Sequence, residues 1–279
     1  VLAGGTESMS QAPYVARNMR WGMPLGKAEK LTDSLWDGLY DPVADLVMAG
    51  TAEKLGAMYD VTREECDEYG HRSQMAYKAA LEAGKFEDEI VPVMVKKRRE
   101  EVAFEVDEHP RLDATLEKMA KLPSVFKKDG LVSAGNASGI CDGGAAVVMT
   151  SASKAEENGW KPIARLVSWG VTACDPTIMG IGPAESSRKA LADAGLTLED
   201  MDLIEVNEAF AAQYLAVEKE LGLDRAKTNV NGGAIAIGHP LAQSGTRITL
   251  HLIHELRRRG ARYGLGTACI GGGQGIAVI

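Results

Sequence analysis

The sequence predicts an α/β protein with helices laid on the faces of a sheet. Two observations carry this. Short apolar runs that read as strands alternate with longer runs of helical periodicity. The 279 residues, 45% hydrophobic and 25% charged, have an ordinary globular composition and exceed one typical domain, so a sizeable core can be buried.

The elements follow in order. Val1–Gly5 reads as the end of a strand, an apolar run stopped by two glycines with no start signal before it. Roughly residues 30–128 form an excursion rich in charge, with helices expected at Ala44–Tyr59 and Thr62–Ala83 and a short strand at Ile90–Val95. The unbroken apolar run Ala145–Thr150 returns the chain to a core as a strand. A helical run from Ser153 leads to a strand over Ile163–Ala173 and a helix over Pro183–Ala194. The strand Leu203–Val206 is followed by the helical run Glu208–Leu221. Helix Leu241–Arg259 and two closing strands, the first over Tyr263–Ala268, complete the chain.

Bulk properties exclude several functions. A net charge of −8 argues against nucleic acid as a partner. It does not exclude an anionic ligand, which needs only a local basic patch such as Lys96-Lys97-Arg98-Arg99 or Lys127-Lys128. No apolar run is long enough to span a membrane. The 4 cysteines show neither a disulfide framework nor metal-ligand spacing, which fits a reducing compartment and no metal.

Three motifs in the last third carry chemistry: Val206-Asn207-Glu208-Ala209-Phe210, Gly233 through Gly238-His239-Pro240, and Cys269-Ile270-Gly271-Gly272-Gly273-Gln274-Gly275. Chemistry at the carbon next to a thioester carbonyl needs a base for the α-proton and donors for the oxyanion. Cys269 lies at a strand end and can act as acid or base if a helix N-terminus or a histidine lowers its pKa. The glycines after it permit a tight turn with N–H groups open to a ligand. His239 precedes Pro240 at a helix start, where the dipole favours a neutral imidazole. Asn207 stands at a strand-to-helix switch, a common ligand position in α/β folds. Each has a plain structural reading too: Asn207 as an N-cap, His239 as a turn residue, Cys269 as a buried thiol. Their joint occurrence in one order favours the chemical reading.

With these motifs the sequence resembles the thiolases, and among them most closely the 3-ketoacyl-CoA thiolases of fatty-acid oxidation. The resemblance runs from Val1 to Ile279 and includes Gly4-Gly5-Thr6-Glu7-Ser8-Met9-Ser10, Phe126–Gly130, Ala134–Gly139 and Asp175–Pro183. It implies a five-layered α-β-α-β-α sandwich of two similar halves. It further implies that Asn207 holds a water which, with His239, forms one oxyanion hole, and that His239 activates a nucleophilic cysteine. Cys269 would exchange the proton of acetyl-CoA, and the Gly271 N–H would serve a second oxyanion hole. Ala134 and Ser138 would line the pantetheine channel, and Arg111 would lie near the nucleotide end of CoA. Met48, Met179, Ala209 and Phe210 would border the substrate.

The family's acyl-accepting cysteine has no counterpart in Cys66, Cys141 or Cys174, none of which stands in its sequence context. The expectation is therefore an incomplete N-terminal half. Residues 1–29 would be its remnant, 30–132 an inserted loop domain on the CoA side, 133–152 the return to that half, and 153–279 the complete C-terminal half. Ala242-Gln243 also departs from the family, which has small residues there. The implied activity is CoA-dependent cleavage of 3-ketoacyl-CoA, or the reverse Claisen condensation, with CoA as substrate and no cofactor. A short-chain acetoacetyl-CoA thiolase or a non-catalytic acyl-CoA binder are the alternatives. The resemblance implies a homodimer or homotetramer, in bacterial cytoplasm or the mitochondrial matrix.

Overall fold

The computed structural model describes residues 1–279. The chain begins with β1 (Leu2–Glu7), a 3-10 turn at Met9–Gln11, β2 (Tyr14–Ala16), β3 (Leu31–Asp33), α1 (Ser34–Gly38), β4 (Tyr40–Asp41) and β5 (Leu46–Val47). Next come α2 (Met48–Met58), α3 (Arg63–Glu82), β6 (Val93–Lys97), β7 (Glu100–Phe104), α4 (Leu116–Ala120), β8 (Gly143–Val148) and α5 (Ala152–Glu157). The last part holds β9 (Trp169–Ala173), a 3-10 segment at Pro176–Ile181, α6 (Gly182–Ala194), β10 (Leu203–Val206), α7 (Ala211–Leu221), α8 (Ala234–Ile237), α9 (Leu241–Arg259), β11 (Gly264–Ile270) and β12 (Gln274–Val278).

The main sheet has the order β10-β11-β12-β9, with β10 and β11 parallel and the other pairs antiparallel. Helices α6 and α9 cover its opposite faces. A Cβ on Gly264 or Gly266 would meet Leu252 or Ile248 of α9, whereas Thr267 Oγ1 lies 3.3 Å from Ser186 Oγ of α6. The other side of α9 packs on the pair β1–β8, so one helix is held between two sheets. Gly5 permits this contact, since a Cβ there would sit 1.8 Å from the Ala242 carbonyl oxygen. The core gathers residues of α3, α6, α7, β10 and β11, with Tyr69, Tyr214, Leu215, Ile204 and Leu265 almost fully buried.

Several boundaries differ from the sequence expectation, each for a local reason. The helix expected from Ala44 starts at Met48, because Asp41 accepts the Val43 and Ala44 N–H groups and Asp45 adopts a φ of 54°. The β4–β5 hairpin occupies that span. Helix α3 matches closely, set by a Thr62/Glu65 capping box. The strand expected from Ile163 starts at Trp169, which pairs with Val278 at the end of β12; before it only Val167 and Ser168 keep backbone bonds, both to Ile279. The strand expected over Ile90–Val95 lies at Val93–Lys97, paired with an unforeseen β7, and its basic run forms the hairpin tip. The helical run expected from Glu208 starts at Ala211, because Phe210 is extended and bridges Ala137. No helix is long and apolar enough to cross a membrane.

Candidate active site

The parallel pairing of β10 with β11 brings Asn207 and Cys269 to one edge of the main sheet. Val206 lies opposite Thr267, and the Asn207 N–H donates to the Thr267 carbonyl at 2.9 Å. Asn207 is not the cap of α7; Phe210 holds that position. Its side chain turns to His239 instead, with Nδ2 3.2 Å from Nε2. Asn207 Oδ1 is buried without a partner, so an acceptor beside the imidazole is left open.

His239 is placed by backbone geometry. The single turn α8 ends at Gly238, whose φ of 91° suits glycine, and the His239 N–H then donates to Gly139 O at 3.0 Å. The Ser138 N–H and Oγ–H both donate to Ala209 O, at 3.0 and 2.9 Å, and Ala211 N–H donates to Asn136 O at 2.8 Å. The Ala134–Gly139 stretch is thus laced to both the Asn207 and the His239 segments. Burial, then the Arg247 charge, pushes the His239 pKa down to about 4. The ring is neutral at physiological pH, as the sequence suggested, with burial as the leading cause.

Cys269 differs from expectation. Burial pushes its thiol up to about 12, and no histidine is among the groups that act on it. It is a protonated thiol, suited to giving a proton. The other three thiols are raised as well: Cys66 to about 12 and Cys141 to about 11, both by burial first, and Cys174 by burial and Asp175. None has the lowered pKa of an activated nucleophile.

The glycine loop is only partly open. Gly272 N–H is taken by Asp41 Oδ2 at 3.0 Å, while Gly271 is exposed and its Cα faces Met48, whose Sδ would lie 3.4 Å from a Cβ there. Met179 is buried in the 3-10 segment, and Ala209 is buried beside the half-buried Phe210. Ala134 is exposed, as is Arg111, whose backbone N–H donates to Gln74 Oε1 at 2.8 Å. Gln243 is half-buried and leans toward Gly143. No cluster of three His, Cys, Asp or Glu side chains suits a metal ion.

Sequence reasoning missed the supporting residues. Glu208 accepts from Tyr69 OH (2.7 Å), Ser73 OH (2.6 Å), Asn229 Nδ2 (3.0 Å) and the Ile235 N–H (3.1 Å), tying the Asn207 segment to the turn before His239. Asp41 holds the glycine loop, and Glu205 lies buried 3.5 Å from Arg247. Glu208 adjoins Asn207 in the first motif, which is the one signal that could have marked it.

Known proteins match the chain over its whole length. The family model described as "Thiolase, N-terminal domain" matches residues 1–153, and "Thiolase, C-terminal domain" matches residues 160–279. The chain belongs to the thiolase family, has the thiolase fold, and is by family a thiolase-type acyltransferase. The human mitochondrial 3-ketoacyl-CoA thiolase is 59% identical over 279 residues, covering 100% of this chain and 70% of its own length. A crystal structure of that human enzyme superposes with a TM-score of 0.98, covering 100% of this chain and 70% of that one. Its structure in complex with CoA gives 0.96 at 59% identity, covering 100% and 69%. An acetyl-CoA acetyltransferase of Syntrophomonas wolfei is 52% identical over 283 residues, covering 100% of this chain and 71% of its own length.

Proposed function

We propose that this chain carries the acid/base half of a thiolase active site, acting on 3-ketoacyl-CoA with CoA as the second substrate. The observation that carries the reading is the Asn207–His239 contact with an open acceptor on Asn207 beside it. In the cleavage direction His239 takes the proton of an acceptor thiol, the resulting thiolate attacks the 3-keto carbonyl, and His239 then donates to the thioester oxygen together with a water held by Asn207. The carbon–carbon bond breaks, and the departing acetyl-CoA carbanion takes its proton from Cys269, whose raised pKa keeps that proton in place. Gly271 N–H stabilises the enolate oxygen. Free CoA gives its thiol proton to the Cys269 thiolate and attacks the acyl thioester; the bond from the acyl group to the acceptor sulfur breaks, and the shortened acyl-CoA is released. Condensation is the same sequence reversed.

Met48, Met179, Ala209 and Phe210 border the acyl and thioester groups, Ala134 and Ser138 the pantetheine arm, and Arg111 the nucleotide end. The exposed position of Arg111 and Ala134 supports an entrance there. Residues 1–29 and 133–152 belong to one half, 30–132 to an inserted loop domain and 153–279 to the other half. Association as a dimer or tetramer is supported by the strongly exposed Trp21 and Leu25 between β2 and β3. The site of action is the mitochondrial matrix in a eukaryote or the cytoplasm in a bacterium.

The test is a calorimetric titration of the 279-residue chain with CoA, beside a thiolysis assay on acetoacetyl-CoA and a longer 3-ketoacyl-CoA. His239→Asn should leave CoA affinity within a few-fold, since the pantetheine contacts are untouched. Because none of the four thiols is activated, turnover by this chain is expected to be absent. CoA affinity lost in His239→Asn would contradict the assigned roles, and turnover at ordinary enzyme rates would make one of the four cysteines the acyl acceptor.

A further inference from the structure

We propose that Ser244 is a positioning residue which fixes the proton of neutral His239 on Nδ1 and leaves Nε2 as the basic nitrogen. The inference rests on the thiolase-site reading of His239 and deepens it. Ser244 is buried in the first turn of α9, 3% exposed. Its Oγ lies 2.5 Å from His239 Nδ1 and 3.0 Å from the carbonyl oxygen of Pro240. A serine hydroxyl has one proton to give and lone pairs to accept with. The Pro240 carbonyl, which also takes the N–H groups of Gln243 and Ser244 at 3.0 and 3.1 Å, can only accept, and the hydroxyl proton is placed on it, four residues back along the helix. With that proton so placed, Nδ1–H donates to Oγ across the 2.5 Å contact. Nε2 is left with its lone pair, and it faces the one neighbour suited to it, the Nδ2 amide of Asn207 at 3.2 Å.

The orientation of Asn207 agrees with this proton assignment. With its NH2 toward Nε2, its oxygen must point away from the ring, and that oxygen is the buried atom left unpartnered. The opposite tautomer would place Nε2–H toward Asn207, demand its oxygen there, and turn the amide NH2 to the buried position that Oδ1 now holds. Ser244 therefore decides, through His239, whether the site presents a base and an acceptor or two donors. The nitrogen that keeps the proton in a neutral imidazole is set by the bond the other makes.

The experiment is two-bond proton–nitrogen correlation spectroscopy of the 279-residue chain labelled with 15N at its 5 histidines, with His239→Asn used to assign the signal. The expected result is a neutral His239 with Nδ1 protonated and Nε2 bare. Ser244→Ala should lower the ratio of that form to the other by about tenfold, the bias of one ordinary hydrogen bond, while the signals of His251 stay in place. Ser244→Thr, which keeps the hydroxyl, should restore the ratio. A parent spectrum with Nε2 protonated overturns the proposal even if Ser244→Ala does not fold, and so does an unchanged ratio in a folded Ser244→Ala. Either result leaves the CoA titration of the thiolase reading intact, so the two can fail separately.

Discussion

Glu208→Gln probes the joint that aligns the Asn207 and His239 segments. The change keeps shape but turns one carboxylate oxygen into an NH2. One oxygen accepts from Tyr69 OH and Asn229 Nδ2, the other from Ser73 OH and the Ile235 N–H. Hydroxyls can rotate to accept from a new NH2; the Asn229 amide and the Ile235 N–H cannot. Either orientation of the glutamine therefore sets one buried donor against another. An unsatisfied buried donor costs about 1–3 kcal/mol, and a bond to a charged acceptor is worth about 1.5–3 kcal/mol, so the expected loss is about 2–4 kcal/mol after partial relaxation. Glu208 and its partners Tyr69, Ser73 and Asn229 are all buried, so water cannot rescue the donors. Urea unfolding followed by circular dichroism measures the difference. A loss under about 1 kcal/mol would refute the reasoning and imply that the network relaxes freely.

Burial outweighs Arg247 and His251 at Glu205 and raises its pKa from 4.5 to about 7. The uncharged form then contributes stability that is fully present below the unfolded pKa and is lost as pH rises through 7, about 3 kcal/mol in all. Glu205→Gln should accordingly gain stability relative to the parent between about pH 5 and pH 8, and parallel curves would reject the assignment. At Gly238, a φ of 91° and a Cβ that would lie 2.2 Å from Cys141 Sγ predict that Gly238→Ala loses about 2–4 kcal/mol. Adding Cys141→Ala should recover the steric part in a thermal melt, leaving the backbone part; a double variant no more stable than the single one would show that the contact is not the cause.

Local signals were enough for much of this molecule. Helix α9 over Leu241–Arg259 and strand β10 over Leu203–Val206 agree with the sequence reading, because proline at a helix start and a short apolar run are self-contained signals. The capping box of α3 lies within four consecutive residues, and the structure uses it as written. The family and its thiolase fold were also legible, since three motifs in a fixed order mark them. What the sequence could not decide depends on groups far apart in the chain. The Asn207 segment begins its helix late because Ala137 bridges Phe210. Cys269 is raised in pKa because burial is a property of the packed surroundings, which its place at a strand end does not reveal. The network at Glu208 joins α3 to the turns before His239, and the open oxygen of Asn207 exists only because the imidazole takes the other end of its amide. Contacts across 21 to 139 positions of sequence leave no periodic trace in either partner, so only the folded chain reveals them.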